Sequence, residues 1–245
     1  MYNFRTYLIK KFTNGVGTSN SSSRDDWIIN KLKKITPGTN ILDAGAGEAR
    51  FKKYCKHLQY VSQDIAIYDG VGNNKGYQKL SRDYSNIDII SDIYNIPVEN
   101  SSFDTILCVE VIEHLTDPIK ALVELKRVLK KDGTLILTAP FNSLTHYAPH
   151  HYFTGFTEYF YRHHLEELGF ELIEINKNGN YFEYIAQEIL RVEEVALIYS
   201  KKKLGILFKF IKILLLIFLN RLSQSDNGSS ELNCFGFNVL CKKIN

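Results

Sequence analysis

The sequence predicts an α/β protein built on a doubly wound, mostly parallel sheet, and three observations lead there. Short apolar runs alternate with helical periods from residue 41 to residue 175, the pattern of repeated βαβ units. The runs I-D-I-I-S (87–91) and T-I-L-C-V (105–109) are compact and apolar, as buried strands are. Residues 40–51, N-I-L-D-A-G-A-G-E-A-R-F, end an apolar run abruptly at Asp43 and follow it with Gly45 and Gly47, which let the backbone turn tightly and approach a ligand. Handedness rules leave few other topologies for such a chain.

Bulk properties narrow the class. A chain of 245 residues holds one α/β domain with additions. Hydrophobic residues at 44% and charged residues at 23% are ordinary for a soluble protein. The net charge of +3 is too small for a nucleic-acid partner, which shows as a concentrated basic face. Cys55, Cys108, Cys234 and Cys241 include no C-x-x-C pair, so reduced thiols and a cytoplasmic location are expected rather than zinc or disulfides. The first twelve residues carry Arg5, Lys10 and Lys11 without a continuous apolar run, so no signal peptide is expected.

Taken in order, residues 2–12 suit a short helix and 13–23 a polar loop, either a lid or a connector. Ser23 can cap a helix with Trp27, Ile28, Leu32 and Ile35 on one face, stopped by Pro37-Gly38. After the first strand, Ala49 and Arg50 open a helix running to Leu58, whose positive end would present N–H groups to an anionic or polar cofactor. Residues 60–65, Y-V-S-Q-D-I, form a second strand closing on Asp64. Asp64 lies about twenty residues past the first glycines, where doubly wound folds place a carboxylate for ribose hydroxyls; a solvated strand-end aspartate is the plainer alternative. Residues 67–86, rich in Gly and Asn, have no helical period, so a long loop replaces the usual helix. Strand three is 87–91, and strand four is flanked by Phe103 and Asp104.

Asp117 and Pro118 make an N-cap and N1 pair for a helix burying Ile119, Leu122, Val123, Leu125, Val128 and Leu129, ended by Gly133. T-L-I-L-T-A-P (134–140) is the fifth strand. Thr157 caps a helix through Leu168, Gly169 ends it, and F-E-L-I-E-I begins a sixth strand. Residues 181–200 form an amphipathic helix. The apolar run from Leu204 to Leu222 is interrupted by Lys209 and Lys212, leaving it too short to span a bilayer. With Lys201, Lys202 and Lys203 ahead and Arg221 behind, it suits peripheral contact with anionic lipid, or packing on the domain or at a homodimer contact. C-F-G-F-N-V-L-C (234–241) is a last strand.

Asp43, Gly45 and Gly47, with Ala49 at the usual third glycine, resemble motif I of the class I S-adenosylmethionine-dependent methyltransferases. The dinucleotide fingerprint requires Gly or Ala where this chain has Arg50, which demotes a nucleotide-dependent oxidoreductase. The resemblance implies S-adenosylmethionine as cofactor, with Asp43 near its methionine part, Asp92 facing the adenine amino group and the Ile93 N–H reaching the ring. It also implies a seven-stranded Rossmann-like sheet with the last strand antiparallel beside the sixth. The expected segments are 1–36 as N-terminal helices and loop, 37–180 as the cofactor-binding core, 181–232 as a helical insertion and 233–245 as the final core strand.

E-V-I-E-H (110–114) follows strand four, where the strand ends meet the ligand crevice. Glu110 and Glu113 at spacing three, with His114, can converge on Mg²⁺ or Mn²⁺. The pattern resembles the metal site of ubiquinone-pathway O-methyltransferases and small-RNA 2′-O-methyltransferases. Similar segments occur in methyltransferases without a known metal, where Glu110 would serve the cofactor and the others structure. Of His146, His150 and His151 in the loop after strand five, His146 ranks first as a base, beside Glu113 and His114. Tyr147, Tyr152, Phe153, Phe156 and Tyr159 would line an acceptor pocket or form the core beneath it. The resemblance to the bacterial type 11 group suggests O-methylation of a small-molecule, sugar or glycan-lipid acceptor. The competing reading is a catalytically silent cofactor-binding scaffold at the membrane surface.

Overall fold

The computed structural model describes residues 13–78 and 83–245; the helix expected over 2–12 lies outside the described residues. Seven strands form one sheet in the order β3-β2-β1-β4-β5-β7-β6. These are β1 (Asn40–Ala44), β2 (Gln59–Asp64), β3 (Ile89–Ile90), β4 (Phe103–Val109), β5 (Leu129–Pro140), β6 (Phe170–Asn178) and β7 (Gly236–Lys243). β1 pairs in parallel with β2 and β4, β2 with β3, and β4 with β5. β7 lies between β5 and β6 and runs antiparallel to β5, from Thr134 opposite Lys242 to Pro140 opposite Gly236. The reversal of order at β1/β4 leaves a crevice at the strands' carboxyl ends, the usual ligand position in such sheets.

The chain divides into two compact units: Asp25–Asn176 with Gly236–Asn245, and Lys177–Phe235 with the residues up to Arg24. In the first, Ile28 and Leu32, from the helix α1 (Asn20–Leu32), are buried with Ile41, Phe51, Cys55, Leu58, Leu107 and Ile136. Helix α2 (Pro118–Val128) begins as expected, with the Asp117 side chain accepting from the Lys120 N–H at 3.0 Å. It buries Ala121, Leu122, Leu125 and Val128. Arg127 and Glu124 on this helix tie down the preceding loop: Glu124 accepts from the Ile96 N–H at 2.7 Å, and Arg127 donates to the Ile96 and Val98 carbonyls. Helix α3 (Glu158–Glu167) places Tyr161 and Leu165 in the core.

In the second unit, α4 (Tyr181–Tyr199) starts on the Asn180 side chain, which accepts from the Glu183 N–H at 3.0 Å. Helix α5 (Ile206–Gln224) folds back on it, with Leu216 and Ala186 sharing a small core with Val16 and Lys212 paired to Glu193.

Four expected elements differ. No α-helix follows the glycine turn, because Gly45, Gly47 and Ala49 take positive φ (73°, 57° and 51°) and break any run of right-handed residues. Only a 3₁₀ turn at Lys52–Tyr54 forms. The helix starting near Ser23 begins instead at Asn20, where Asn178 Nδ2 donates to the Asn20 carbonyl at 2.9 Å. Strand β3 shrinks to Ile89–Ile90, since Asp88 turns aside to accept from the Ser62 N–H and hydroxyl. Strand β5 begins at Leu129 rather than Thr134, because α2 ends at Val128 and the chain enters the sheet before Gly133.

Candidate active site

The carboxyl ends of β1, β2 and β3 are joined by hydrogen bonds. Both Gly45 and Ala46 donate their N–H to the Gln63 carbonyl, at 2.8 and 2.9 Å. The Gln63 side chain accepts again from Gly45 at 3.2 Å and donates to the Ser91 carbonyl at 2.7 Å. Asp64 accepts from the Gly47 N–H through Oδ2 and from the Ala66 N–H through Oδ1, both at 2.8 Å. The glycine turn therefore spends several of its N–H groups on β2, and with no α-helix behind it there is no helix terminus to hold an anion. Gly45 is required here twice over: its φ is +73°, and a Cβ would fall 2.5 Å from Val111 Cγ2.

Above this floor lies a cavity of about 240 Å³. Gly45, Asp64, Asp92, Ile93, Tyr94, Val111, His114, Thr116, Tyr147 and Tyr152 are among the residues that line it. Of the residues singled out in the sequence, Gly45, Asp64, Asp92, Ile93, His114, Tyr147, His150 and Tyr152 are at the wall. Asp43, Gly47, Glu110, Glu113 and His146 are not among its lining residues.

Asp43 is buried behind the floor, its Oδ2 accepting from the Tyr60 hydroxyl at 2.5 Å. Burial pushes its carboxyl up to about 7, partly offset by the Tyr60 hydrogen bond and by Arg50, while Asp64 adds to the rise. The same environment pushes the Tyr60 hydroxyl up. Cys55, beneath, is pushed up to about 12 by burial and by Asp43, so it is a core thiol rather than a nucleophile.

The expected convergence of Glu110 with Glu113 and His114 does not occur. Glu110 takes φ +54°, continues the ladder to β5 through its N–H, and accepts from Thr138 Oγ1 at 3.0 Å. Donor atoms of Glu113, His114 and His146 instead lie within 4.8 Å of one another. One carboxylate and two imidazoles do not match the oxygen-rich set that Mg²⁺ prefers.

His114 Nδ1 sits 2.6 Å from the His150 carbonyl and His146 Nδ1 2.8 Å from the Leu144 carbonyl. A carbonyl only accepts, so both Nδ1 atoms carry the proton and Nε2 is the basic nitrogen in the neutral rings. His114 Nε2 lies 3.7 Å from Oε1 of the fully buried Glu113, an ion-pair distance longer than a hydrogen bond. His146 stacks edge-on behind His114, ring centroids 4.7 Å apart. His151 packs on His146, and its pKa is lowered by burial and then by His146. His114 and His150 are the histidines that line the cavity, and His146 is not among its lining residues.

Two loops enclose this side. Asn73 donates its N–H to the Ala148 carbonyl at 3.1 Å, Tyr77 to Thr145 at 2.9 Å, and Tyr147 back to Tyr77 at 3.0 Å. Gly72 and Gly76 permit the approach, since a Cβ on either would fall within 2.5 Å of the Ala148 or Thr145 oxygen. The sequence marked both loops, but not this lacing, nor Gln63 and Tyr60, whose partners are distant in the chain.

With this geometry in view, residues 42–137 match the family model described as a methyltransferase domain, Methyltransf_11. These residues form a class I S-adenosylmethionine-dependent methyltransferase domain. Among curated methyltransferases the chain is 27% identical over 180 residues to the sarcosine/dimethylglycine N-methyltransferase of Aphanothece halophytica, covering 66% of this chain and 64% of that one. The chain spans less than two thirds of the length of the first curated relatives it matches. In fold it is similar to a SAM-dependent methyltransferase from Archaeoglobus fulgidus, at TM-score 0.53 and 17% identity over 98% of this chain and all of that one. It is likewise similar to phosphoethanolamine N-methyltransferase 2 of Haemonchus contortus, solved with S-adenosyl-L-methionine, at TM-score 0.52 and 16% identity over all of this chain and 58% of that one. The similarity in fold covers the seven-stranded sheet.

Proposed function

We propose that this methyltransferase transfers the methyl group of S-adenosylmethionine to a hydroxyl of a small molecule, sugar or glycan-lipid, with His114 accepting the proton. The observation that carries this reading is His114 itself, an imidazole at the cavity wall whose Nδ1–H is held by a carbonyl while Nε2 faces a buried carboxylate. Proton uptake at Nε2 makes an imidazolium that Glu113 stabilises. The bound cofactor supplies an already activated methyl on a sulfonium, so the chain's main work is alignment and exclusion of water.

The floor fits the cofactor. Asp64, held by two backbone N–H groups, would accept ribose hydroxyls, and Asp92 and Ile93 would take the adenine. Asp43 acts one layer back, fixing β1 against β2 through Tyr60. Tyr94, Tyr147 and Tyr152 offer aromatic faces to a cation or an apolar acceptor body.

Titration calorimetry with S-adenosylhomocysteine tests the cofactor, and Asp64→Ala should weaken binding by about 1–3 kcal/mol. Folded protein that gives no heat overturns the assignment; binding with no transfer to any acceptor leaves a cofactor-binding scaffold. His114→Gln then tests the acceptor atom. A hydroxyl acceptor predicts a fall in kcat of about 10²–10⁴. An amine acceptor, the second reading, is favoured by the N-methyltransferase relatives and predicts a far smaller loss. A metal-assisted form would draw on Glu113, His114 and His146 and suits Mn²⁺ better than Mg²⁺; activity lost to chelation and restored by Mn²⁺ would select it.

A further inference from the structure

The hairpin of α4 and α5 carries an apolar surface that the methyltransferase reaction does not use. Along α5, Ile206, Leu207, Phe210, Ile211, Leu214 and Phe218 are all exposed, Ile206 at 87%, Phe210 at 60% and Phe218 at 59%. Their spacing of three and four places them along one stripe, about 18 Å long from first to last. The opposite side of the helix is the packed one, where Leu216 is buried and Lys212 meets Glu193. At the hairpin tip the stripe runs into exposed Leu197, Ile198 and Tyr199 at the end of α4. A contiguous exposed apolar face on this scale marks an interaction surface.

Charge says what covers it. From Val195 to Ser225 there is no Asp or Glu, while Lys201, Lys202, Lys203, Lys209, Lys212 and Arg221 all fall in that stretch. The acidic residues of α4 all precede it, at Glu183, Glu188, Glu193 and Glu194. Lys201, Lys202 and Lys203 form the exposed turn between the two helices. No described helix is long and apolar enough to cross a membrane. We propose that the α4–α5 hairpin docks on an anionic lipid surface, with its apolar stripe set among the acyl chains and the lysine turn at the headgroups. An interfacial helix needs this combination of a large apolar face with basic flanks. A second copy of the chain would bring like charges together at the tip, and a neutral apolar partner would offer the lysine turn no counter-charge.

The test is co-sedimentation of the full chain with vesicles of phosphatidylcholine and phosphatidylglycerol in equal parts, against phosphatidylcholine alone. Binding is expected to the mixed vesicles and to weaken with salt. Replacing Lys201, Lys202 and Lys203 together by Gln should lower partitioning by about a hundredfold. Phe210→Ser with Phe218→Ser should lower it by at least tenfold while the circular dichroism of the exposed-site variant stays unchanged. Failure to bind mixed vesicles, or binding indifferent to both sets of substitutions, overturns the inference. So does light scattering that finds a stable dimer dissociated by Phe210→Ser, which would assign the stripe to self-association.

Discussion

Replacing Asp43 by Asn should remove a pH dependence from folding stability. In the folded chain burial lifts the Asp43 carboxyl from its ordinary 3.8 to about 7. Between those values the native state holds a proton that the unfolded chain has lost, so this group's contribution to stability falls as pH rises from about 4 to about 7. At about 1.4 kcal/mol per pH unit the full span amounts to ~4 kcal/mol. The amide of the Asp43→Asn variant has no proton to lose, and its side-chain oxygen still accepts from the Tyr60 hydroxyl. Urea unfolding of both proteins across pH 4 to 8 reads the effect, because titrating groups that do not interact with Asp43 cancel in the difference between them. The variant should gain on the wild type by several kcal/mol toward the alkaline end. A difference that stays flat with pH would mean that Asp43 is ionised throughout, and would refute the account of a buried, proton-holding pair behind the cofactor floor.

Three further outcomes follow from the packing. Gly45→Ala should destabilise the fold by about 1–2 kcal/mol through its positive φ alone, with added loss from the approach to Val111; Val111→Ala in the same chain should recover the steric part, read as the urea midpoint. Asp117→Ala removes the α2 cap and should lower stability by about 1 kcal/mol without changing S-adenosylhomocysteine affinity. Glu124 has its pKa lowered, first by Arg127 and further by the Ile96 N–H. Its contribution is therefore present above the ordinary 4.5 and lost as pH falls through the lower folded value. Glu124→Gln should be less stable than the wild type at neutral pH, with the gap closing in acid.

Much of the architecture was readable because it rests on local rules. Asp64 and Asp92 end strands that feed one crevice, so position along the chain was enough to bring them to the cavity. Asp117 and Pro118 announce a helix start side by side. What escaped depends on backbone choices or distant partners. Ala49 and Glu110 are not residues expected at positive φ, and each reversal redirected an element: one abolished a helix, the other turned a carboxylate away from Glu113 and onto Thr138. Tyr60 gives no sign of its tie to Asp43 seventeen residues earlier. The order of the histidines around the wall could be read only once the loop after β5 was folded against the loop after β2.

That folding has a mechanical consequence. The segment from Gly72 to Gln78 and the segment from Thr145 to Ala148 are stitched by backbone hydrogen bonds running in both directions, so neither can lift away without breaking the other's bonds. The first segment follows the strand that ends in Asp64; the second carries Tyr147 beside His114. The two segments therefore hold or yield together, as one piece of the wall that Tyr147 and His114 line.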